Sequence, residues 1–214
     1  MNKSVTGTIT DYDGTYLTVR VKYENRDFIL DHNVRTVEVR LNDGIHISAE
    51  QRKKIYATFR DIAEYTGYDE DDVKVLMKSR YCDKKEISAF SLSDVEMITA
   101  SDFIDFMLDW CVEHGVQLSE PATQRCEDIE KLMFSCLMHK KCCICGASSE
   151  MHHVDAIGMG ADRATMHHRG HRVIALCRTH HSEYHNHSDG FFERYHVVGI
   201  PITEKIAKKY KVKY

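Results

Sequence analysis

The first third of the chain changes from a two-residue to a helical pattern of apolar positions near Ser48. Before it, VTGTITDYDGTYLTVRV places two β-branched runs around Asp13-Gly14, a dipeptide that favours a tight hairpin turn. Residues 35–41, RTVEVRL, alternate valine and leucine with polar neighbours, as half-buried strands do. We therefore predict a β-hairpin and one further strand, followed by helices.

The helical part predicts three helices that pack around one core. Ser48 and Gln51 have the spacing of a capping box, in which the two side chains close the first turn of a helix. The first helix is predicted to start at Ser48 and to end near Gly67, and Asp69 is predicted to cap the second. The third is predicted to start at Thr99, with Asp102 in its first turn, and to end at Gly115. The residues expected to face inward are Ile55, Phe59, Ile62, Val73, Leu76, Met77, Phe103, Phe106, Met107 and Trp110.

A further helix is predicted after Pro121, a residue that suits a first helical turn. Its apolar positions are Ile129, Leu132, Met133, Cys136 and Leu137. It would connect a domain at residues 1–118 to a second domain at 140–214, with residues 119–139 as the connecting helix. The predicted fold class is α+β.

Composition indicates an ordinary globular protein, with 43% hydrophobic and 29% charged residues. The chain has no apolar run approaching about 18 residues and no signal-peptide pattern at residues 1–14, so we expect a cytoplasmic protein with no membrane partner. Its cysteines should then stay reduced. Isolated ones are interpreted as core residues, namely Cys82, Cys111, Cys126 and Cys136.

Charge is distributed unevenly along the chain. Residues 1–118 carry 15 Lys and Arg against 22 Asp and Glu, a net of −7, whereas residues 119–214 carry 14 against 11, a net of +3. The second part also holds 11 of the 14 histidines. A phosphate-binding surface is therefore expected there. The basic tail KIAKKYKVKY could contact phosphates or could be a solvated terminus.

Two short cysteine motifs predict a structural zinc site. Cys142 and Cys145 form a C-x-x-C pair followed by Gly146, and Cys177 and His180 form a C-x-x-H pair. Four such ligands are the set that tetrahedral zinc prefers. The alternative is that the reduced cysteines pack together without a metal. The neighbouring Cys143 is expected to point away from the predicted zinc site.

The remaining histidines predict a second ion. His181 and His185 are four residues apart and would share one helix face. His152 and His153 lie on a short predicted strand, where adjacent side chains point to opposite sides, so one can face the ion and the other a substrate. His187 is interpreted as solvated.

At this point the sequence resembles a known family. The pair Cys142-x-x-Cys145, then HHVDAIGMGADR, then ALCRTHHSEYH, is similar to the HNH (His-Me finger) endonucleases, in particular phage-encoded ones, over residues 140–198. The resemblance implies a zinc-stapled ββα-metal domain that cleaves DNA. It implies His153 as general base and His152, His181 and His185 as ligands of the catalytic ion.

Two features depart from the family pattern. The middle asparagine has no clean counterpart, and either His171 or Arg172 lies near its place. His180 replaces the usual last cysteine of the zinc site. The catalytic metal is left open between Mg²⁺, Mn²⁺, Ni²⁺, Co²⁺ and Zn²⁺, since histidine ligands favour the transition metals. The arginines expected to contact DNA phosphates are Arg163, Arg169 and Arg172.

Residues 36–118 resemble the lambda Orf (NinB) family of phage recombination mediators, which bind single-stranded DNA. The resemblance implies a homodimer and a recombinase or single-strand-binding protein as partner. A basic patch, Arg52, Lys53, Lys54 and Arg60, could contact phosphates or could be a solvated helix face.

The predicted function is a metal-dependent DNA endonuclease that acts on single-stranded or branched DNA in phage recombination or DNA processing, inside a bacterial host. Two alternatives stay open. One is a non-catalytic, zinc-stabilised DNA-binding recombination mediator, and the other is a restriction-type HNH nuclease with sequence-specific cleavage.

Overall fold

The computed structural model of the chain describes residues 7–23, 26–31, 35–37, 39, 45–155 and 169–214. Helices and strands are mixed, in agreement with the predicted class. The strands are β1 (Gly7–Tyr12), β2 (Leu17–Val21), β3 (Glu150–His153), β4 (Arg172–Leu176) and β5 (Ile200–Pro201). The helices are α1 (Arg26–Asp31), α2 (Ala49–Thr66), α3 (Glu70–Lys85), α4 (Met97–His114), α5 (Ala122–Arg125), α6 (Ile129–His139), α7 (Arg178–Asn186), α8 (Phe191–Tyr195) and α9 (Glu204–Tyr210).

The predicted N-terminal hairpin is confirmed. Strands β1 and β2 pair antiparallel from Gly7↔Val21 to Tyr12↔Leu17. The Asp13 carboxylate closes the turn because it accepts the backbone N–H groups of Thr15 and Tyr16, and these bonds lower the pKa of Asp13. The strand predicted at residues 35–41 lies partly outside the described residues, and its described residues, 35–37 and 39, are not in a strand.

Helix α2 forms as its capping residues predict. Ser48 Oγ accepts the Gln51 backbone N–H at 3.1 Å, and Gln51 Oε1 accepts the Ser48 backbone N–H at 3.0 Å. Gly67 ends the helix in the left-handed conformation, which glycine adopts without a steric penalty. The capping box and the stop are therefore confirmed.

The third helix begins earlier than the sequence predicts. Helix α4 starts at Met97, not Thr99, because the Met97 backbone N–H donates to the Ile45 carbonyl at 2.7 Å and His46 forms a β-bridge with Glu96. The stop at Gly115 is confirmed. Most of the predicted inward residues are buried or packed against the core, but Leu76 is 37% exposed.

The connecting segment is two helices, so the prediction of a single helix is wrong. Helix α5 ends at Arg125 and α6 starts at Ile129. Asp128 caps α6 by accepting the Glu130 and Lys131 backbone N–H groups. Across the break, the Asp105 carboxylate on α4 accepts the backbone N–H groups of Glu127 and Asp128. A tertiary contact therefore stabilises the interruption.

A buried ion pair connects α5 to α2. Arg125 is 1% exposed and its guanidinium contacts the Asp61 carboxylate, which is 6% exposed. The same guanidinium donates to Ser119 Oγ at 2.7 Å. Removing one partner leaves an uncompensated buried charge, which is strongly destabilising.

We expect Arg125→Ala to lower the free energy of unfolding by about 3–5 kcal/mol, because Asp61 would stay buried without its cation. A matched control is Arg194→Ala, since the Arg194–Glu183 pair is half-exposed and should cost about 1 kcal/mol or less. Urea denaturation followed by circular dichroism measures both. Equal small losses would show that the buried pair adds no stability.

The buried apolar residues of the described chain fall into two clusters. One spans Ile47 to Val116, in α2, α3, α4 and the segments next to them, and the other spans Leu132 to Ala207. Helix α6 packs against α4 on one side and against β4 and α9 on the other. The segment predicted as a connector thus supplies part of the second core, and the division at 118 and 140 stays a prediction.

Candidate metal centres and active site

Two strands and a helix of the second apolar core carry the cysteine and histidine side chains of the candidate site. Strand β3 pairs antiparallel with β4 in the register His152↔Ile174 and His153↔Val173, and β5 pairs with the other edge of β4. Residues 173–176 are buried because β4 is the central strand of this sheet. The chain passes from β4 directly into α7. Side chains of β3 and α7 are therefore held beside one another.

The four predicted zinc ligands converge, and their ligand atoms all lie within 4.8 Å of one another. His180 Nδ1 is 3.2 Å from Cys177 Sγ and 3.4 Å from Cys142 Sγ, and Cys145 Sγ is 3.7 Å from Cys177 Sγ. A tetrahedral zinc with Zn–S bonds of about 2.3 Å separates neighbouring sulfurs by about 3.8 Å. The cluster could therefore hold zinc with little rearrangement.

The local backbone explains how the first cysteine pair turns around this point. The Cys142 N–H donates to the Ala147 carbonyl at 2.7 Å, and the Gly146 N–H donates to the Cys142 carbonyl at 2.8 Å. Gly146 has a φ of +70°, which a glycine adopts readily. Cys143 packs into the apolar core, as expected for the cysteine that points away.

The thiols of the cluster differ in acidity. Burial raises the pKa of Cys142 to about 11. Burial also opposes ionisation of Cys177, but hydrogen bonds from His180 and from the neighbouring thiols outweigh it and lower the pKa of Cys177 to about 7. Zinc binds thiolates, so its binding would release protons from this cluster.

Three further histidines form a second cluster. His152 on β3 is buried, His181 and His185 lie one turn apart on α7, and one ring nitrogen of each lies within 4.8 Å of the others. His181 Nε2 and His185 Nε2 are 3.1 Å apart. Metal–nitrogen bonds of about 2.1 Å at right angles place two nitrogens about 3.0 Å apart. The three imidazoles could therefore share one ion.

His153 lies next to His152 along β3, so its side chain points to the opposite face of the strand. Its ring centroid is 6.4 Å from that of His171, which precedes β4. A backbone hydrogen bond holds His171 in place, because its carbonyl accepts the Ile202 N–H at 2.9 Å. Its buried Nδ1 has no hydrogen-bond partner among the residues that the structure describes.

The two described arginines of the predicted phosphate-binding set, Arg169 and Arg172, lie in different environments. The Arg172 guanidinium is paired with the Asp155 carboxylate at 2.7 Å, and this contact lowers the pKa of Asp155. Arg169 lies 5.8 Å from the ring centroid of Tyr214. Arg163 lies outside the described residues. His187 is exposed, as expected.

Comparison with known proteins identifies the family. Residues 18–213 match the family model described as "Putative HNHc nuclease". The chain belongs to this HNH nuclease family. No curated protein and no solved structure shows a significant match. Membership implies a phosphodiester hydrolase with DNA as substrate, and nucleases with the HNH motif use metal ions.

Two residues of this HNH nuclease were missed by sequence reasoning. Tyr184 packs its ring 4.6 Å from that of His152, which helps to fix the orientation of that histidine. Asp155 accepts both the backbone N–H and the guanidinium of Arg172, and so ties the end of β3 to the start of β4. Tyr184 lies inside the motif HHSEYH, but nothing in the sequence marks either contact.

A groove lies away from the candidate site of the HNH nuclease. A groove of about 540 Å³ lies between the α5–α6 turn and α8, and no residue that lines it belongs to either histidine-containing cluster. Nucleic-acid backbones bind to open charged surfaces rather than to such grooves. The groove is therefore not an alternative candidate for the active site. Among the described helices, none has the length and apolar character to span a membrane.

Proposed function

We propose that this HNH nuclease is a metal-dependent DNA endonuclease with a ββα-metal active site. The observation that carries the proposal is the convergence of His152, His181 and His185 from a strand and a helix, with His153 on the adjacent strand position. In this proposal the first three residues hold the catalytic ion and His153 is the general base.

The chemistry requires a base for the attacking water and positive charge near the leaving oxygen. A neutral histidine can accept the water proton near neutral pH, which is the role of His153. A divalent ion held by His152, His181 and His185 would supply positive charge that stabilises the leaving oxygen. His171 takes the middle position of the motif in this proposal, because the alternative, Arg172, is already paired with Asp155.

The second metal has a structural role in the proposal. In it, zinc is held by Cys142, Cys145, Cys177 and His180. The metal would join the turn at Cys142–Cys145 to the first turn of α7. Since His181 directly follows His180, the zinc also fixes where the catalytic ligands of α7 lie. Zinc is therefore expected to be needed for activity without taking part in cleavage.

The substrate and partners form a further part of the proposal. We propose single-stranded or branched DNA, in phage recombination or DNA processing, from the resemblance of the N-terminal half to lambda Orf. The same resemblance supports a homodimer and a recombinase or single-strand-binding partner. Of the basic patch on α2, Lys53 and Arg60 are exposed, whereas Lys54 pairs with Glu127 at 2.8 Å.

We expect the purified protein to nick DNA when Mg²⁺, Mn²⁺, Ni²⁺, Co²⁺ or Zn²⁺ is added, and to be inactive after mild chelation. His185→Ala should raise the metal concentration that gives half-maximal cleavage by at least about 10-fold, because it removes one of three ligands. His187→Ala is the matched control, since His187 is an exposed neighbouring histidine outside both clusters. Linear, single-stranded and branched DNA should be compared.

The outcome also separates the alternatives. DNA binding without cleavage under any of these metals would contradict an endonuclease and favour a zinc-stabilised binding module. Cleavage at one fixed sequence in several unrelated DNAs would favour a restriction-type nuclease. Cleavage positions that follow a branch point would support the proposed substrate.

A further inference from the structure

The C-terminal segment carries several exposed lysines, and Lys140 lies against it with its ammonium over the Tyr210 ring. We call this set of lysines the C-terminal basic surface and define it as Lys140, Lys205, Lys208, Lys209, Lys211 and Lys213, all of which are exposed. None of them forms an ion pair with a carboxylate in the part of the chain that the structure describes. Their positive charge is therefore available to a ligand.

This surface is built on a firmly packed helix. Ile206 and Ala207 on α9 are buried in the second core, and the Tyr210 hydroxyl donates to the Leu137 carbonyl at 2.9 Å. Lys205 and Lys209 are four residues apart on α9, so they share one helix face. The backbone of α9 thus holds these two lysines one turn apart on a packed helix.

The surface is linked to the candidate active site at both ends. Before α9, the Ile202 N–H donates to the carbonyl of His171. After α9, the ring of Tyr214 lies under Arg169, which is two residues from His171. The segment that carries these lysines is therefore held beside residues 169–171, next to the candidate active site.

We infer that the C-terminal basic surface binds the phosphate backbone of a duplex arm beside the cleaved position; the choice of DNA rests on the proposed function. Helix α9 has seven residues and is about 10 Å long, which matches roughly three phosphates at about 3.4 Å of helix rise each. Binding of single strands generally adds aromatic stacking. The outer face of α9 carries lysines, and its Tyr210 is turned toward Leu137.

Salt dependence of binding tests this surface without cleavage. The full-length protein, with its zinc and with EDTA at a level that leaves the zinc bound, is titrated against a fluorescent random-sequence duplex at several salt concentrations. Each lost phosphate contact should reduce the slope of log K against log salt by about 0.9. For Lys205→Gln/Lys209→Gln we expect a slope smaller by about 2 and, near 0.1 M salt, an affinity lower by on the order of 50-fold.

The matched control is Arg80→Gln/Lys84→Gln, which removes the same charge at the same spacing from an exposed face of α3. It should leave the slope unchanged, and Lys205→Arg/Lys209→Arg should retain it. An unchanged slope in Lys205→Gln/Lys209→Gln, an equal loss in the control, a loss of slope with a single-stranded oligonucleotide but not with the duplex, or no duplex binding at all would overturn the inference. Loss of slope in a protein that cleaves nothing would support this surface and contradict the endonuclease.

Discussion

Replacing Cys145 by serine is expected to release the structural zinc and unfold the second core. Structural zinc can contribute on the order of 10 kcal/mol in small zinc peptides, against ~1 kcal/mol for a typical substitution. Cys145 is exposed, so the serine variant loses almost no apolar packing. A large loss of stability would therefore report the metal alone. Zinc content after mild dialysis and thermal melting measure the effect.

Two variants keep this experiment interpretable. Cys126→Ser changes a half-buried cysteine outside the cluster and should retain zinc with a loss of only ~1 kcal/mol. His185→Ala should retain zinc and the fold, because His185 belongs to the other cluster. If Cys145→Ser keeps both its zinc and its melting temperature, the division of the histidine-rich segment between two metals is wrong.

His153→Ala is expected to reduce the rate of DNA cleavage by about 10²–10⁴-fold, the usual contribution of a general base. Zinc content, melting temperature and DNA affinity should not change, because His153 belongs to neither metal cluster. Single-turnover cleavage with saturating metal measures the rate and separates chemistry from metal binding.

His171→Ala distinguishes the base from its neighbour. If His171 only assists at the middle position, its variant should cleave faster than His153→Ala under the same conditions. Equal cleavage by His153→Ala and the unmodified protein would refute the assignment of the base. A loss in His153→Ala that added metal restores would instead make His153 a metal ligand.

Short-range patterns predicted much of the site. The C-x-x-C and C-x-x-H pairs each fix two ligands through local backbone geometry, and the one-turn spacing of His181 and His185 fixes a shared helix face. The opposite directions of His152 and His153 follow from the two-residue period of a strand. The structure brings together the residues that these local rules select, while their roles stay predictions.

The features that sequence reasoning missed depend on contacts between distant residues. The break between α5 and α6 depends on Asp105, which lies 22 residues before Glu127 along the chain. The start of α4 depends on the carbonyl of Ile45. The pairing of Arg172 with Asp155 joins residues 17 positions apart, and the phosphate contact of Arg172 stays a prediction. No periodicity of apolar positions carries such information.

Because His152 and His153 point to opposite faces of β3, the length of the segment before this strand decides which residue occupies each position. Deleting one of residues 147–151, with the pairing positions on β4 kept, would move His153 into the proposed ligand position and Val154 into the proposed position of the base. Inserting one residue would leave a histidine as base but put Met151 where the ligand belongs. A single-residue change in length would thus separate the proposed base from the proposed ligand without altering any histidine.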